Sequence, residues 1–269
     1  MPRVRRHAPL LLTLAALAVL VACATVPITG RKQLSIVPSD ELHAMSYQQY
    51  DEVLAQSELS DDPEATAMIR RVGRRVQSAV EDYMAREGLS DQLDGYAWEF
   101  NLIESDQVNA WCMPGGKVAF YTGILPICED ENGVAVVMGH EVAHAVAEHG
   151  GERMSQGLLT QLGGMALDKA LESEPDQTRQ LAMTAFALGS QFGALLPYSR
   201  LHESEADRMG LIFMAMADYD PRAAPAFWQR MAEAGGAQPP EFMSTHPSSE
   251  TRVRELEEAM PEAMRYYRE

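Results

Sequence analysis

Val134-Ala135-Val136-Val137-Met138-Gly139-His140-Glu141-Val142-Ala143-His144 places two histidines and a glutamate inside an otherwise apolar run. The run sits within Glu129–Gly150, which is acid-rich at its start and closed by Gly150-Gly151, so the pattern predicts one helix over that span. On a helix, residues four apart lie about 40° apart and share a face. His140 and His144 can therefore grip one metal ion through neutral imidazoles. Glu141 projects beside them, where its carboxylate can take a proton from a water on that ion. Two surface histidines on an amphipathic helix are the alternative. The neighbours, however, are Val, Ala and Met, and burying an uncompensated His-Glu-His trio is costly.

A catalytic ion of this kind takes three protein ligands and keeps one position open. The third is sought in Ser199-Arg200-Leu201-His202-Glu203-Ser204-Glu205-Ala206-Asp207. Glu203 and Asp207 share a helix face, whereas Glu205 is rotated by about 200° and points away. Glu203 can ligate while Asp207 fixes a ligand histidine through its other ring nitrogen. A solvated acidic face would explain these charges but not the apolar Leu211, Ile212 and Phe213 that continue the helix. His202 is a weaker ligand candidate. His149, five residues past His144, turns to another side and reads as a helix-end residue near the C-terminal dipole.

Around this helix the periodicities give an α+β domain dominated by helices. Asp61-Asp62-Pro63 starts a helix that Met68, Ile69, Val72, Val76, Val80, Tyr83 and Met84 continue to Gly88. Tyr96–Ile103, Val108–Met113 and Val118–Thr122 read as strands, the last two joined through Pro114-Gly115-Gly116 as a hairpin. Met154–Lys169, Gln177–Leu196, Ser199–Tyr219, Arg222–Ala234 and Ser248–Glu258 read as helices. Leu181–Ser199 carries no charge over 19 positions and reads as a buried or lipid-adjacent helix near the site. Of the cysteines, Cys112 and Cys128 are expected as free, packed thiols.

The whole chain has 269 residues, 22 Lys+Arg against 39 Asp+Glu and a formal charge of −17, with 46% apolar residues. That acidity argues against nucleic acid, whose phosphates need clustered Lys and Arg. The N-terminus departs from it. Arg3, Arg5 and Arg6 precede the apolar run Leu10–Ala22, the pattern of a secretory signal rather than of a spanning helix. The run ends Leu20-Val21-Ala22-Cys23, which resembles the bacterial lipobox, in which the Cys is lipidated and becomes the first mature residue. Thr25–Ser39, with Pro27, Gly30 and Pro38, reads as an extended tether.

His140-Glu141-x-x-His144 and Glu203-x-x-x-Asp207, with Asn109-Ala110 and Pro114-Gly115-Gly116 upstream, resemble the membrane-linked gluzincins of metallopeptidase family forty-eight. That family includes HtpX, BepA and the CAAX prenyl protease. Thr29-Gly30-Arg31-Lys32-Gln33-Leu34, Tyr219-Asp220-Pro221 and Thr245-His246-Pro247 are similar to its short periplasmic lipoprotein members. The expected organisation is a lipoprotein signal over 1–22, a lipidated tether and entry segment over 23–60 and a zinc metallopeptidase domain over 61–269. Neither a tetratricopeptide-like tail nor a set of spanning helices is expected, a departure from BepA and HtpX respectively.

The resemblance implies one Zn²⁺ per chain on His140, His144 and Glu203, with Glu141 as general base. It implies that the strand from Asn109 and Ala110 to Met113 pairs with the substrate backbone. It also implies that His246 can fill the open metal position, a loop histidine capping the next helix being the alternative. Arg200, His202 and Tyr198 are candidate donors to the developing oxyanion. The function so implied is a zinc endopeptidase of the bacterial envelope, an outer-membrane lipoprotein anchored at Cys23 and facing the periplasm. Its partners would be polypeptide substrates, the membrane and envelope assembly machinery. The rival reading is an assembly factor in which client binding dominates over proteolysis.

Overall fold

A computed structural model describes residues 23–234, 240–246 and 250–268. The signal expected over 1–22 lies outside the described residues, as do the side chain of Cys23, Pro247 and the helix start expected at Ser248. The described residues open with a small antiparallel pair, β1 (Cys23–Thr25) and β2 (Lys32–Leu34), where an extended tether was expected. Its turn is closed by Val26 and Gly30: the Val26 N–H donates to Arg31 O at 2.9 Å, and Gly30 adopts φ +69°. Val26 is 1% exposed and belongs to the main core, so this segment is docked on the domain.

Two helices follow, α1 (Ser39–Gln56) and α2 (Pro63–Arg86). Pro63 stands in the first turn of α2, where its missing N–H costs nothing, and Asp62 caps the Glu64 and Ala65 amides. The face carrying Ile69, Val72, Val76, Val80 and Met84 is buried, as the 3–4 spacing requires. Next come β3 (Glu99–Ile103), β4 (Ala110–Met113) and β5 (Lys117–Tyr121), in the order β3-β5-β4. The expected hairpin is the antiparallel β4–β5 pair, while β3 lies parallel to β5 with Glu99 opposite Lys117. β4 is therefore an edge strand.

Helix α3 (Glu131–Val146) starts at Asp130, whose carboxylate caps the Asn132 and Gly133 amides. Every residue from Gly133 to Val146 is buried, because α3 lies between α2 and β4 on one side and the later helices on the other. The chain then departs from the sequence reading. Gly150-Gly151 does not end this helix. The break falls at Ala147-Glu148, with Glu148 in the left-handed region at φ +53°, and α4 (His149–Ala170) runs on through both glycines.

Beyond it stand α5 (Asp176–Ser190), a five-residue π segment (Gln191–Leu195), α6 (Leu196–Met216), α7 (Ala223–Ala234) and α8 (Glu250–Ala263). Pro197 sits in the first turn of α6, and the missing amide coincides with the widened π turn before it. Leu181–Ser199 is not buried: Leu181 is 72% exposed and Phe192 65%. Among the described residues, no helix is long and apolar enough to cross a membrane. Cys112 and Cys128 are both free thiols.

Candidate active site

The site forms where α3 and α6 cross. Gly139 and Gly210 face each other there, so close that a Cβ on Gly139 would stand 2.7 Å from Gly210 O. Two glycines let the backbones touch, and that contact carries His140 and His144 of α3 up to Glu203 of α6. His246, at the end of a short helix (Glu241–Thr245), closes the group from above.

The donor atoms of His140, His144, Glu203 and His246 all lie within 4.8 Å of one another, and all four residues are buried. His140 Nε2 is 3.1 Å from His144 Nε2 and 3.0 Å from His246 Nδ1. Glu203 Oε2 is 3.4 Å from His140 Nε2 and 2.9 Å from His246 Nδ1, and Oε1 is 3.3 Å from His144 Nε2. Nitrogen and oxygen ligands at about 2.0–2.1 Å from a tetrahedral zinc stand about 3.3 Å apart, so these edges fit one such ion. Ring nitrogens this close repel unless a proton or a cation lies between them. The three imidazoles and one carboxylate are a borderline-soft set suited to zinc.

Electrostatics favour the same occupant. Burial would lift the Glu203 carboxyl, but its close polar contacts with His140, His144 and His246 hold it far below the usual carboxylate range. Burial pushes His144 well down, leaving it neutral. For His140, burial and Arg252 press downward, yet the bonds to Asp207 and Glu203 prevail and raise it to about 9. Metal binding there releases that proton.

Asp207 lies beside the first of these histidines: its Oδ1 is 2.9 Å from His140 Nδ1. Arg252 of α8 donates to the same oxygen at 2.7 Å, places Nη1 3.3 Å from Glu203 Oε2 and stacks 3.3 Å over Trp228. Glu141 Oε1 is buried with no hydrogen-bond partner among the described residues, 3.4 Å from His246 Nε2.

Of the suggested oxyanion donors, His202 is committed elsewhere, with Nε2 2.8 Å from Glu152 and no exposed surface. Arg200 lines a cleft of about 590 Å³ that reaches Glu203, Asp207 and Arg252, whereas Tyr198 is not among its lining residues. Asn109 Oδ1 accepts from the Ala110 amide, and Ala110, the first residue of β4, is 1% exposed. The Phe242 amide donates to Val108 O, which ties the His246 segment to the start of β4.

Three residues escaped the sequence reading. Arg252 is one of several charges on an acidic helix, and only its 4% exposure distinguishes it. His149 was set on another side of a continuous helix. The turn at Glu148 brings it back, with Nδ1 2.8 Å from His144 Nδ1. Glu205 does point away from the donor cluster, but it points at His149.

The model of peptidase family M48 matches residues 71–260. The chain is 38% identical over 243 residues to the mitochondrial metalloendopeptidase OMA1 of Schizosaccharomyces pombe, covering 88% of this chain and 66% of that one. To the human mitochondrial OMA1 it is 31% identical, covering 89% and 46%. To the beta-barrel assembly-enhancing protease of Escherichia coli it is 27% identical, covering 72% and 39%. The matched region thus spans two thirds or less of these relatives. With the site's residues inside the matched span and relatives of this similarity, the chain belongs to peptidase family M48.

Proposed function

We propose that this chain is a zinc-dependent metalloendopeptidase of the bacterial envelope, with Glu141 as its general base. The observation that carries the reading is the convergence of His140, His144 and Glu203 beside a buried Glu141 oxygen that makes no hydrogen bond among the described residues. Zinc on those residues would lower the pKa of a bound water and polarise the scissile carbonyl. Glu141 takes the water's proton at Oε1 and returns it to the leaving amine. Glu203 stays ionised throughout. Asp207, held by Arg252, keeps the His140 ring in the orientation that presents Nε2 to the ion. The free edge of β4 offers main-chain groups to an extended substrate, and alignment along it fixes the carbonyl.

His246 fills the fourth corner of the donor set, so it serves as a displaceable ligand that keeps the site latent until its loop moves. The anchoring of the Phe242 amide on Val108 supports this, because a substrate reaching β4 disturbs the same segment. Substrates are misfolded or unassembled envelope proteins, in keeping with the name of the E. coli relative. The basic and apolar residues 1–22 leading to Cys23 support secretion and lipid anchoring at the outer membrane, facing the periplasm.

In the purified protein, Glu141→Gln should keep stoichiometric zinc and an unchanged circular dichroism spectrum. Its cleavage of an unfolded protein should fall by about 100- to 10,000-fold. Retained cleavage would refute the mechanism. His246→Ala should raise basal cleavage and weaken zinc binding, and a variant unchanged in both would end the latch. A second reading, an assembly factor that mainly binds clients, draws on the exposed apolar side chains of α4 to α6 such as Met165, Leu181 and Phe192. Restoration of envelope-stress resistance by Glu141→Gln would favour it.

A further inference from the structure

The Thr29-Gly30-Arg31 turn has no part in the mechanism above, yet its side chains reach the metal ligands in three steps. Arg31 Nε donates to Glu205 Oε2 at 2.7 Å, and the Thr29 hydroxyl donates to Glu205 Oε1 at 2.6 Å. Glu205 Oε2 lies 3.3 Å from His149 Nε2, and His149 Nδ1 lies 2.8 Å from His144 Nδ1. The other ring nitrogen of His144, Nε2, faces His140 and Glu203 in the donor cluster.

The proton positions follow from the ends of this series. A carboxylate bonded by an arginine and a hydroxyl only accepts, so His149 must donate to it from Nε2. A neutral His149 then has a lone pair on Nδ1 and accepts from His144 Nδ1–H. That leaves the His144 Nε2 lone pair free on the side of the ion. We propose that His149, Glu205 and Arg31 are positioning residues that fix the tautomer and orientation of the ligand His144. The N-terminal turn is thereby a working part of the metal centre.

The surroundings hold the series in place. His202 stacks on His149 with ring centroids 4.2 Å apart and 15° between planes. Its Nε2 bonds Glu152, which Arg31 also grips through both terminal nitrogens, at 2.7 and 3.0 Å. One arginine thus ties two buried carboxylates, Glu152 of α4 and Glu205 of α6. His140 is served in the same way by Asp207 and Arg252, so both histidines of α3 have their own charged support. The left-handed Glu148 that breaks α3 from α4 is what turns His149 back toward His144.

The inference rests on the metal reading above. The test is zinc affinity by chelator competition on the folded full chain, together with the visible spectrum of the cobalt-substituted protein. His149→Phe fills the same space without either bond. Loss of a ligand's supporting hydrogen bond costs about 10- to 100-fold in metal affinity, so the zinc Kd should rise by that factor and the cobalt bands should shift. Glu205→Gln can donate to His149, which reverses the tautomers and puts a proton on His144 Nε2, so it should weaken zinc comparably. Thr29→Val removes one small hydroxyl and serves if either variant fails to fold, with a few-fold rise expected. Tyr50→Phe, which loosens the core elsewhere, should leave zinc affinity and the cobalt spectrum unchanged. If the wild type binds zinc and the folded variants bind it equally with unshifted cobalt bands, the relay is wrong. If the wild type itself binds no zinc, the metal reading fails instead.

Discussion

Replacing Gly210 with Ala should loosen the metal site more than it loosens the fold. A Cβ at Gly210 would stand 2.9 Å from Gly139 C and from His140 N, and both are backbone atoms that cannot move aside by changing rotamer. Reaching ordinary contact at 3.4 Å requires α3 and α6 to part by about 0.5 Å. Overpacking of this kind costs about 1–3 kcal/mol, and the better helix preference of Ala returns about 1 kcal/mol. A net loss of about 1 kcal/mol lowers Tm by roughly 2–4 °C in a domain of this size. Metal–ligand distances tolerate only about 0.2 Å. His140 N is itself one of the contact atoms, and Glu203 lies two turns earlier on α6. The parting therefore reaches both sides of the donor set, and zinc affinity should fall about tenfold, which is about 1.4 kcal/mol. Thermal melts of the metal-free protein and chelator competition read the two effects separately. Gly157→Ala is the control, because an added Cβ there meets nothing within 4 Å, and it should stabilise by about 1 kcal/mol. Wild-type zinc affinity and an unchanged or higher Tm in Gly210→Ala would refute the idea that this crossing sets the site.

Other outcomes follow from the same structure. The Glu152 carboxyl is held at about 2, because hydrogen bonds from His202 and Arg31 outweigh the upward push of burial. Since its folded value lies below the ordinary 4.5, its contribution is full above that pH and is lost as pH falls toward 2. The gap in Tm between wild type and Glu152→Gln should therefore be widest above pH 5 and narrow steadily below 4.5. Tyr50→Phe should cost about 1–3 kcal/mol, measured by urea unfolding, because the buried Tyr50 hydroxyl donates to Val118 O at 2.9 Å and accepts from Asn101. Chelation should abolish cleavage reversibly and lower Tm; free zinc at 100 times its Kd should restore about 2.7 kcal/mol.

Much of the site was legible because it is written in helical spacing. His140 and His144, and separately Glu203 and Asp207, are each four residues apart, so local geometry alone puts each pair on one face. The hairpin around Pro114-Gly115-Gly116 and the capped start at Asp62-Pro63 were legible for the same reason: a turn or a cap depends on neighbours in sequence. Tertiary structure decided what depends on distant neighbours. The Gly139–Gly210 contact joins the two pairs, and Arg252 arrives from α8 with nothing in its local pattern to announce it. A single left-handed residue at Glu148 turned His149 from a helix-end residue into a neighbour of His144, an outcome that periodicity cannot foresee because it assumes an unbroken helix. The uncharged Leu181–Ser199 was read as a buried or lipid-adjacent helix because apolar composition predicts burial, yet burial needs partners on several sides; among the described residues α5 packs on α4, with Phe186 beside Gly163 and Gly164, and Leu181 and Phe192 stay exposed. Spacing along the chain thus chose the chemistry, and packing between remote elements chose which side chains support it.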